Sequence, residues 1–184
     1  IDFTGIKQRV VRLGEDSSLE VQLKPLLKKI SEKLSGFDSY QLRNGFSAVE
    51  WCIQHNMIQQ GITFLQETLV SLVIEQVGSS SLVTDLMYRT AATGALHGYD
   101  RAYLALRVRN ELNLPLTDED VIELQLEMKR WVDQIPGLSR LYKRLSGDFR
   151  NDVNHCGFRE DYKSPEELKT ELTSIYQSVK ALNL

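Results

Sequence analysis

Apolar residues recur at helical spacing along almost the whole of this chain, and strand signals are few. In the stretches 19–34, 40–53 and 57–77, leucine, isoleucine, valine and aromatic residues return every three or four positions. Such periodicity predicts helices that each bury one face. Gly and Pro fall mostly between these stretches, as they do where helices end. The pattern therefore predicts an all-α protein.

The breaks between the periodic stretches predict about seven helices in one bundle. Residues 1–18 are poorly periodic and end in a polar run, so we expect a linker or lead-in segment there. Residues 19–184 then form the helical domain, with a helical insertion at about 78–116. Pro25 predicts a late helix start, and Ser164 followed by Pro165 and Glu167 predicts a capped last helix.

The composition limits the classes of function that this chain can have. With 184 residues and a formal net charge of -3, the chain is an ordinary single domain and not a non-specific nucleic-acid coat protein, although a local basic cleft is compatible with it. The two cysteines, Cys52 and Cys156, have neither zinc-type spacing nor a disulfide framework. No apolar run reaches the ~18–20 residues of a membrane span. We expect a cytoplasmic protein without metal, cofactor or membrane anchor. Because the chain begins at Ile1, we treat it as a candidate fragment.

The stretch Arg150-Asn151-Asp152-Val153-Asn154-His155 carries the most specific chemistry. Arginine offers a fixed cation and a planar fork of donors that suits phosphate oxygens. Histidine moves protons near neutral pH. On a straight helix over 138–155, these polar residues other than Asp152 share an arc of about 140°, opposite an apolar face. Ser146-Gly147 is expected to loosen that helix just before the motif.

The same pair also has a structural interpretation, because an Arg followed five residues later by a His is a weak pattern by itself. Arg150 would then pair with a carboxylate, and His155 would cap the end of its helix before Gly157. Two other Arg-Asn dipeptides, at Arg43 and Arg109, have no histidine at that spacing. Composition alone favours this structural interpretation at least as strongly as the catalytic one.

Other candidates are weaker. His55 and Asn56 could line a cleft, but we favour a buried, hydrogen-bonded histidine at a helix kink near Asn56 and Gly61. His97 beside Gly98 is predicted to end a helix. We interpret Arg101, Arg107 and Arg109 as the solvent-exposed face of a helix. We interpret the apolar stripe of Leu65, Leu69, Leu72 and Ile74 as core or dimer surface.

At Arg150, Asn151 and His155 the chain resembles the HEPN domains, whose ribonuclease members carry Arg and His at this spacing, often with Asn after the Arg. Residues 51–61 and 150–158 also resemble the C-terminal half of a CRISPR-associated CARF–HEPN family of type III systems. The resemblance covers about residues 19–184 and implies a HEPN-like bundle. The CARF domain that would precede it is not visible, which suggests an excised effector domain.

The resemblance implies a metal-independent endoribonuclease that cuts single-stranded RNA at a composite site between two copies of the chain. In the full-length relatives a cyclic oligoadenylate bound to CARF activates the nuclease. His155 would be the general acid or base, Arg150 would hold the phosphate, and Asn151 would orient the histidine or donate to phosphate. Further RNA contacts are expected from Asn154, Arg144, Arg159 and Lys163.

Two other functions stay open. A non-catalytic helical module would bind a protein or RNA and use the Arg–His pair structurally. A HEPN toxin of a toxin–antitoxin pair would still be a ribonuclease. An Arg150 buried against a carboxylate of its own chain would favour the module.

Overall fold

A computed structural model describes residues 3–16, 21–37, 41–99, 118–149 and 163–184. Within these ranges the chain forms helices and no strand, which confirms the all-α prediction. The HEPN-like arrangement of the bundle stays a prediction. The described residues form eight α-helices, which are α1 (Phe3–Glu15), α2 (Lys24–Lys33), α3 (Gln41–Gln54), α4 (Ile58–Val77), α5 (Leu86–His97), α6 (Asp118–Asp133), α7 (Leu138–Arg144) and α8 (Pro165–Lys180). Two short 3-10 turns, Val21–Leu23 and Ser80–Leu82, and a π-helical turn, Leu145–Phe149, complete the described elements.

Helix α4 lies at the centre of the bundle. It packs against α3, α5, α6 and α8 and also against the π-helical turn. The stripe Leu65, Leu69, Leu72 and Ile74 is buried, so it belongs to the core. An apolar helix buried on most of its surface needs amphipathic partners around it, and the neighbouring helices supply their apolar faces.

The α3–α4 junction confirms the predicted break at Asn56 but not the role given to Gly61. Asn56 has φ 57°, a left-handed conformation that asparagine tolerates better than most residues, and it ends α3. Gly61 lies inside α4, where an added Cβ would stand 2.7 Å from Leu172 Cδ2 of α8. Gly61 therefore permits close packing of α8 and does not mark a kink.

The N-terminal segment differs from the expected linker. Residues 3–15 form α1, which packs against α2, although Ile6, Val11 and Leu13 of α1 are exposed. The apolar residues of α1 recur at helical spacing, although residues 1–18 taken together are poorly periodic because the stretch ends in a polar run. The domain boundary near residue 18 stays a prediction. The late start of the next helix is confirmed, since α2 begins at Lys24 with Pro25 in its first turn.

Helix α5 falls within the predicted insertion, yet it is part of the same core. Ala91, Ala92, Ala95 and Leu96 are buried, and α5 packs against α4, α6 and α7. The described part of the predicted insertion therefore packs into the common core, and the bounds of the insertion stay a prediction. Its remainder, with Arg101, Arg107 and Arg109, lies outside the described residues.

The last helix begins as predicted. Ser164 Oγ accepts a hydrogen bond from the Glu167 backbone N–H at 3.2 Å, and Glu167 Oε2 accepts one from the Ser164 N–H at 2.7 Å. These bonds form a capping box, with Pro165 at the first helical position. They also lower the pKa of the Glu167 carboxyl. Nowhere in the described ranges does a helix combine the length and the apolar character needed to cross a membrane.

The close approach of α3 and α4 gives a test of the core. A Cβ at Gly45 would overlap the Thr68 side chain, so Gly45→Ala is expected to lower the free energy of unfolding by about 1–3 kcal/mol. At Gly14 of α1 no atom lies within 4 Å of an added Cβ, so Gly14→Ala should raise it by up to ~1 kcal/mol. Urea unfolding followed by circular dichroism measures both. A stabilising Gly45→Ala would contradict the packing described.

Candidate functional site

All six residues of the predicted catalytic motif lie outside the described residues, including Arg150, Asn151, Asn154 and His155, and so does Arg159. The structure describes the residues that lead into this segment and those that follow it. These flanking residues determine where on the bundle the segment begins and ends.

The residues before the motif leave α-helical geometry. Helix α7 ends at Arg144, and residues 145–149 form a π-helical turn. The expected loosening at Ser146-Gly147 is therefore confirmed, and the straight helical wheel does not hold across this turn. Leu145 and Phe149 are both fully buried, which fixes the turn against the core. Single π-helical turns occur frequently at functional sites.

The residues on the two sides of the motif segment meet in space. Lys163 Nζ lies 5.9 Å from the centroid of the Phe149 ring. Glu171 of α8 accepts hydrogen bonds from Lys163 Nζ at 2.7 Å and from Arg144 Nε at 3.1 Å. One carboxylate thus joins the end of α7 to the start of the last described segment. Phe149 and Lys163, the nearest described residues on the two sides of residues 150–162, therefore lie close together on the bundle.

Arg144 and Lys163 were both predicted to contact RNA. The structure pairs both with Glu171, whose side chain is only 14% exposed. Two cations around one carboxylate keep a net positive charge, so a phosphate would still be attracted there. The described contacts show that both cations are held at Glu171, and RNA contact stays a prediction for both residues.

His97, which the sequence predicts only as a helix-end residue, contacts the π-helical turn. His97 is the last residue of α5, as predicted, and Gly98 follows in the left-handed conformation with φ 63°. His97 Nε2 lies 3.4 Å from Ser146 Oγ. Its ring stacks on Tyr99 at 4.8 Å and meets the edge of Tyr142 at 5.1 Å. This cluster connects the end of α5 to the turn that precedes Arg150.

The surroundings of the His97 cluster are largely buried. Burial raises the pKa of Tyr142 to about 12, while a hydrogen bond with Thr93 acts in the opposite direction. The phenol therefore stays neutral near physiological pH. Gln125 Nε2 donates to the Tyr99 carbonyl at 2.8 Å, and its Oε1 is buried without a partner among the described residues. Because His97 and Ser146 are 49 positions apart, local sequence patterns could not reveal their contact.

His55 is exposed, so the favoured interpretation of a buried histidine is wrong. Because α3 ends at the next turn, the ring projects from the helix end, and its centroid lies 4.5 Å from that of Trp51. Both rings line a groove of about 560 Å³ between α2 and the α3–α4 pair. Its other walls come mainly from Ile30, Leu34, Phe37, Ala48, Met57 and Phe64. His55 lines this groove, whereas Asn56 is not among its lining residues, and a cleft near the motif stays a prediction for both.

The described ranges contain no group of three His, Cys, Asp or Glu side chains that could hold a metal ion. Cys52 is a free, buried cysteine, and burial raises the pKa of its thiol. Cys156 lies outside the described residues. No protein-family model, curated protein or solved structure matches this chain.

The junction at Glu171 predicts a stability effect. Glu171→Gln leaves Arg144 and Lys163 without their shared carboxylate, so the free energy of unfolding should fall by about 1–2 kcal/mol. Glu166→Gln, on the exposed first turn of the same helix, is the matched control and should change it by less than ~1 kcal/mol. Chemical denaturation compares the two. Equal effects would show that the junction contributes nothing.

The raised pKa of Tyr142 predicts alkaline destabilisation. Below pH 10 the phenol is neutral in both states, but between its ordinary value of 10.0 and about 12 only the unfolded chain ionises, so stability falls. At pH 11 the loss relative to Tyr142→Phe should be about 1 kcal/mol. Denaturation of both proteins between pH 8 and pH 11 measures it. Parallel pH profiles would contradict the prediction.

Proposed function

We propose that this chain is a metal-independent endoribonuclease domain of the HEPN type that cleaves single-stranded RNA. The observation that carries the proposal is the motif Arg150-Asn151-Asp152-Val153-Asn154-His155. It combines a phosphate-binding cation, a proton carrier and amide side chains within six residues. The resemblance to the CRISPR-associated CARF–HEPN family extends the proposal to antiviral defence.

RNA supplies its own nucleophile, so the protein needs no hydrolytic water for the first step. The 2′-oxygen attacks the adjacent phosphorus and the bond to the 5′-oxygen breaks, which leaves a 2′,3′-cyclic phosphate. His155 removes the 2′-hydroxyl proton or protonates the departing 5′-oxygen. Arg150 stabilises the negative charge that accumulates on the phosphoryl oxygens. Asn151 orients the His155 ring or donates to the phosphate.

One motif provides one histidine, whereas the reaction needs both an acid and a base. A homodimer that brings two motifs together across a two-fold axis would provide both. The full-length protein would add a CARF domain whose cyclic oligoadenylate ligand activates cleavage. Both partners follow from the family resemblance.

The flanks of the motif support the proposal physically. Phe149 is fully buried, and the Glu171 junction anchors the chain on both sides of residues 150–162. Catalysis by positioned groups requires such anchoring, because small displacements of a reacting group reduce the rate steeply. The π-helical turn and the contact of His97 with Ser146 add a second support for the same place on the bundle.

The test is cleavage of an end-labelled single-stranded RNA in EDTA by wild type, Arg150→Ala and His155→Ala, with the dimer checked by light scattering. Wild type should leave 2′,3′-cyclic phosphate ends, and each variant should lose at least ~100-fold in rate. Arg43→Ala is the matched control, because Arg43 is also followed by Asn but has no histidine at the motif spacing. It should cleave like wild type.

Retained cleavage by a dimeric His155→Ala would exclude His155 as the proton carrier. The absence of cleavage by a folded wild-type dimer would contradict the proposal for this chain, and the same assay on a chain that includes the preceding domain would show whether activation is required.

A further inference from the structure

The residues that line the groove with Trp51 and His55 include two lysines of α2. Lys29 and Lys33 of α2 line it together with the aromatic residues of α3 and α4. The two lysines are four positions apart, so they lie on one face of α2, about 6 Å apart along its axis. Neither ammonium group forms an ion pair within the described residues. Both charges are therefore available to a ligand.

Positive charge is concentrated on this side of an otherwise acidic chain. Residues 21–37 contain four lysines, at positions 24, 28, 29 and 33, and one acidic residue, Glu32. The whole chain carries a net charge of -3. This local basic surface attracts an anionic partner that the average charge of the protein would repel.

The aromatic wall is accessible for stacking. Trp51 keeps 37% of its surface exposed although it lines an apolar groove, and the neighbouring His55 ring is also exposed. The groove presents almost only carbon to its interior. Its walls therefore suit flat apolar faces that need no hydrogen bonds, while His55 and Gln60 offer polar atoms from exposed positions.

We propose that this groove binds single-stranded RNA, with a base stacked on Trp51 and backbone phosphates held by Lys29 and Lys33. Aromatic platforms beside a positively charged groove are the physical basis of sequence-tolerant single-strand binding. The groove is then a substrate-binding subsite of the ribonuclease, and in this respect the inference rests on the proposed function. A two-fold contact of the groove with itself would instead oppose the lysines of the two copies.

The binding test separates this subsite from catalysis. The probe is a 12-nucleotide 2′-O-methyl oligouridylate, which lacks the free 2′-hydroxyl needed for cleavage. In a Trp131→Phe background Trp51 is the remaining tryptophan of the chain, and its emission should be quenched saturably by the probe. By fluorescence anisotropy, Trp51→Leu should weaken binding about tenfold or more, whereas Trp51→Phe keeps a stacking surface and should retain most affinity.

The contribution of Lys29 and Lys33 is measured separately, from the salt dependence of RNA binding. Lys29→Gln with Lys33→Gln should make the dependence of log Kobs on log salt less steep by about 1.4, since each phosphate contact on a single strand contributes about 0.7. Lys129→Gln with Lys180→Gln removes the same charge outside the groove and should leave the slope as in wild type. All four lysines are at least partly exposed, so these variants should keep the fold.

Unchanged Trp51 emission at saturating RNA, or equal slopes for the two lysine pairs, would overturn the inference even if wild type cleaves RNA. Quenching of Trp51 in a protein that cuts no RNA would support the groove and contradict the nuclease. If an acidic, leucine-rich amphipathic peptide shifts Trp51 emission and the probe does not, the groove binds a protein helix and the RNA assignment is wrong.

Discussion

The burial of helix α4 is the constraint on which the rest of the bundle depends. Residues such as Leu65, Leu69 and Val73 are completely excluded from solvent, and α3, α5, α6 and α8 surround them. Each buried leucine or valine contributes about 1.5–3 kcal/mol, so exposure of one face of α4 would remove a large part of a typical domain's net stability. The neighbouring helices are therefore held in place by the need to cover α4. The two candidate sites lie on elements that contact it: the π-helical turn on one hand, and α3 with its groove on the other.

The sequence predicts a helix where one face is buried, because apolar residues then recur at helical spacing. It predicts a helix end where a capping residue, a proline or an asparagine marks the break. The capping box at Ser164, the late start at Pro25 and the turn at Asn56 all follow from interactions within a few residues. Gly61 shows the limit of such reasoning. Its role depends on Leu172 of α8, 111 positions away in the chain, and nothing local distinguishes a glycine that permits packing from one that permits a kink.

The candidate site likewise has features that could be predicted from the sequence and features that could not. The chemistry of the Arg150–His155 motif is readable, because its residue types lie within six positions. The contact of His97 with Ser146 and the sharing of Glu171 by Arg144 and Lys163 arise from tertiary packing. The exposure of His55 depends on which parts of the fold cover the end of α3, and the prediction of a buried histidine at a kink could not take that into account. The presence of Lys29 and Lys33 in one groove with Trp51 results from tertiary packing, which local sequence patterns do not reveal.

The sharing of Glu171 by Arg144 and Lys163 has a consequence for how this structure opens locally. The carboxylate holds the end of α7 and the residues before α8 at one place, so neither can move away without the loss of an ion pair. Local unfolding proceeds in contiguous cooperative units. The end of α7 and the start of α8 therefore belong to one such unit and open together, although 27 positions separate Arg144 from Glu171.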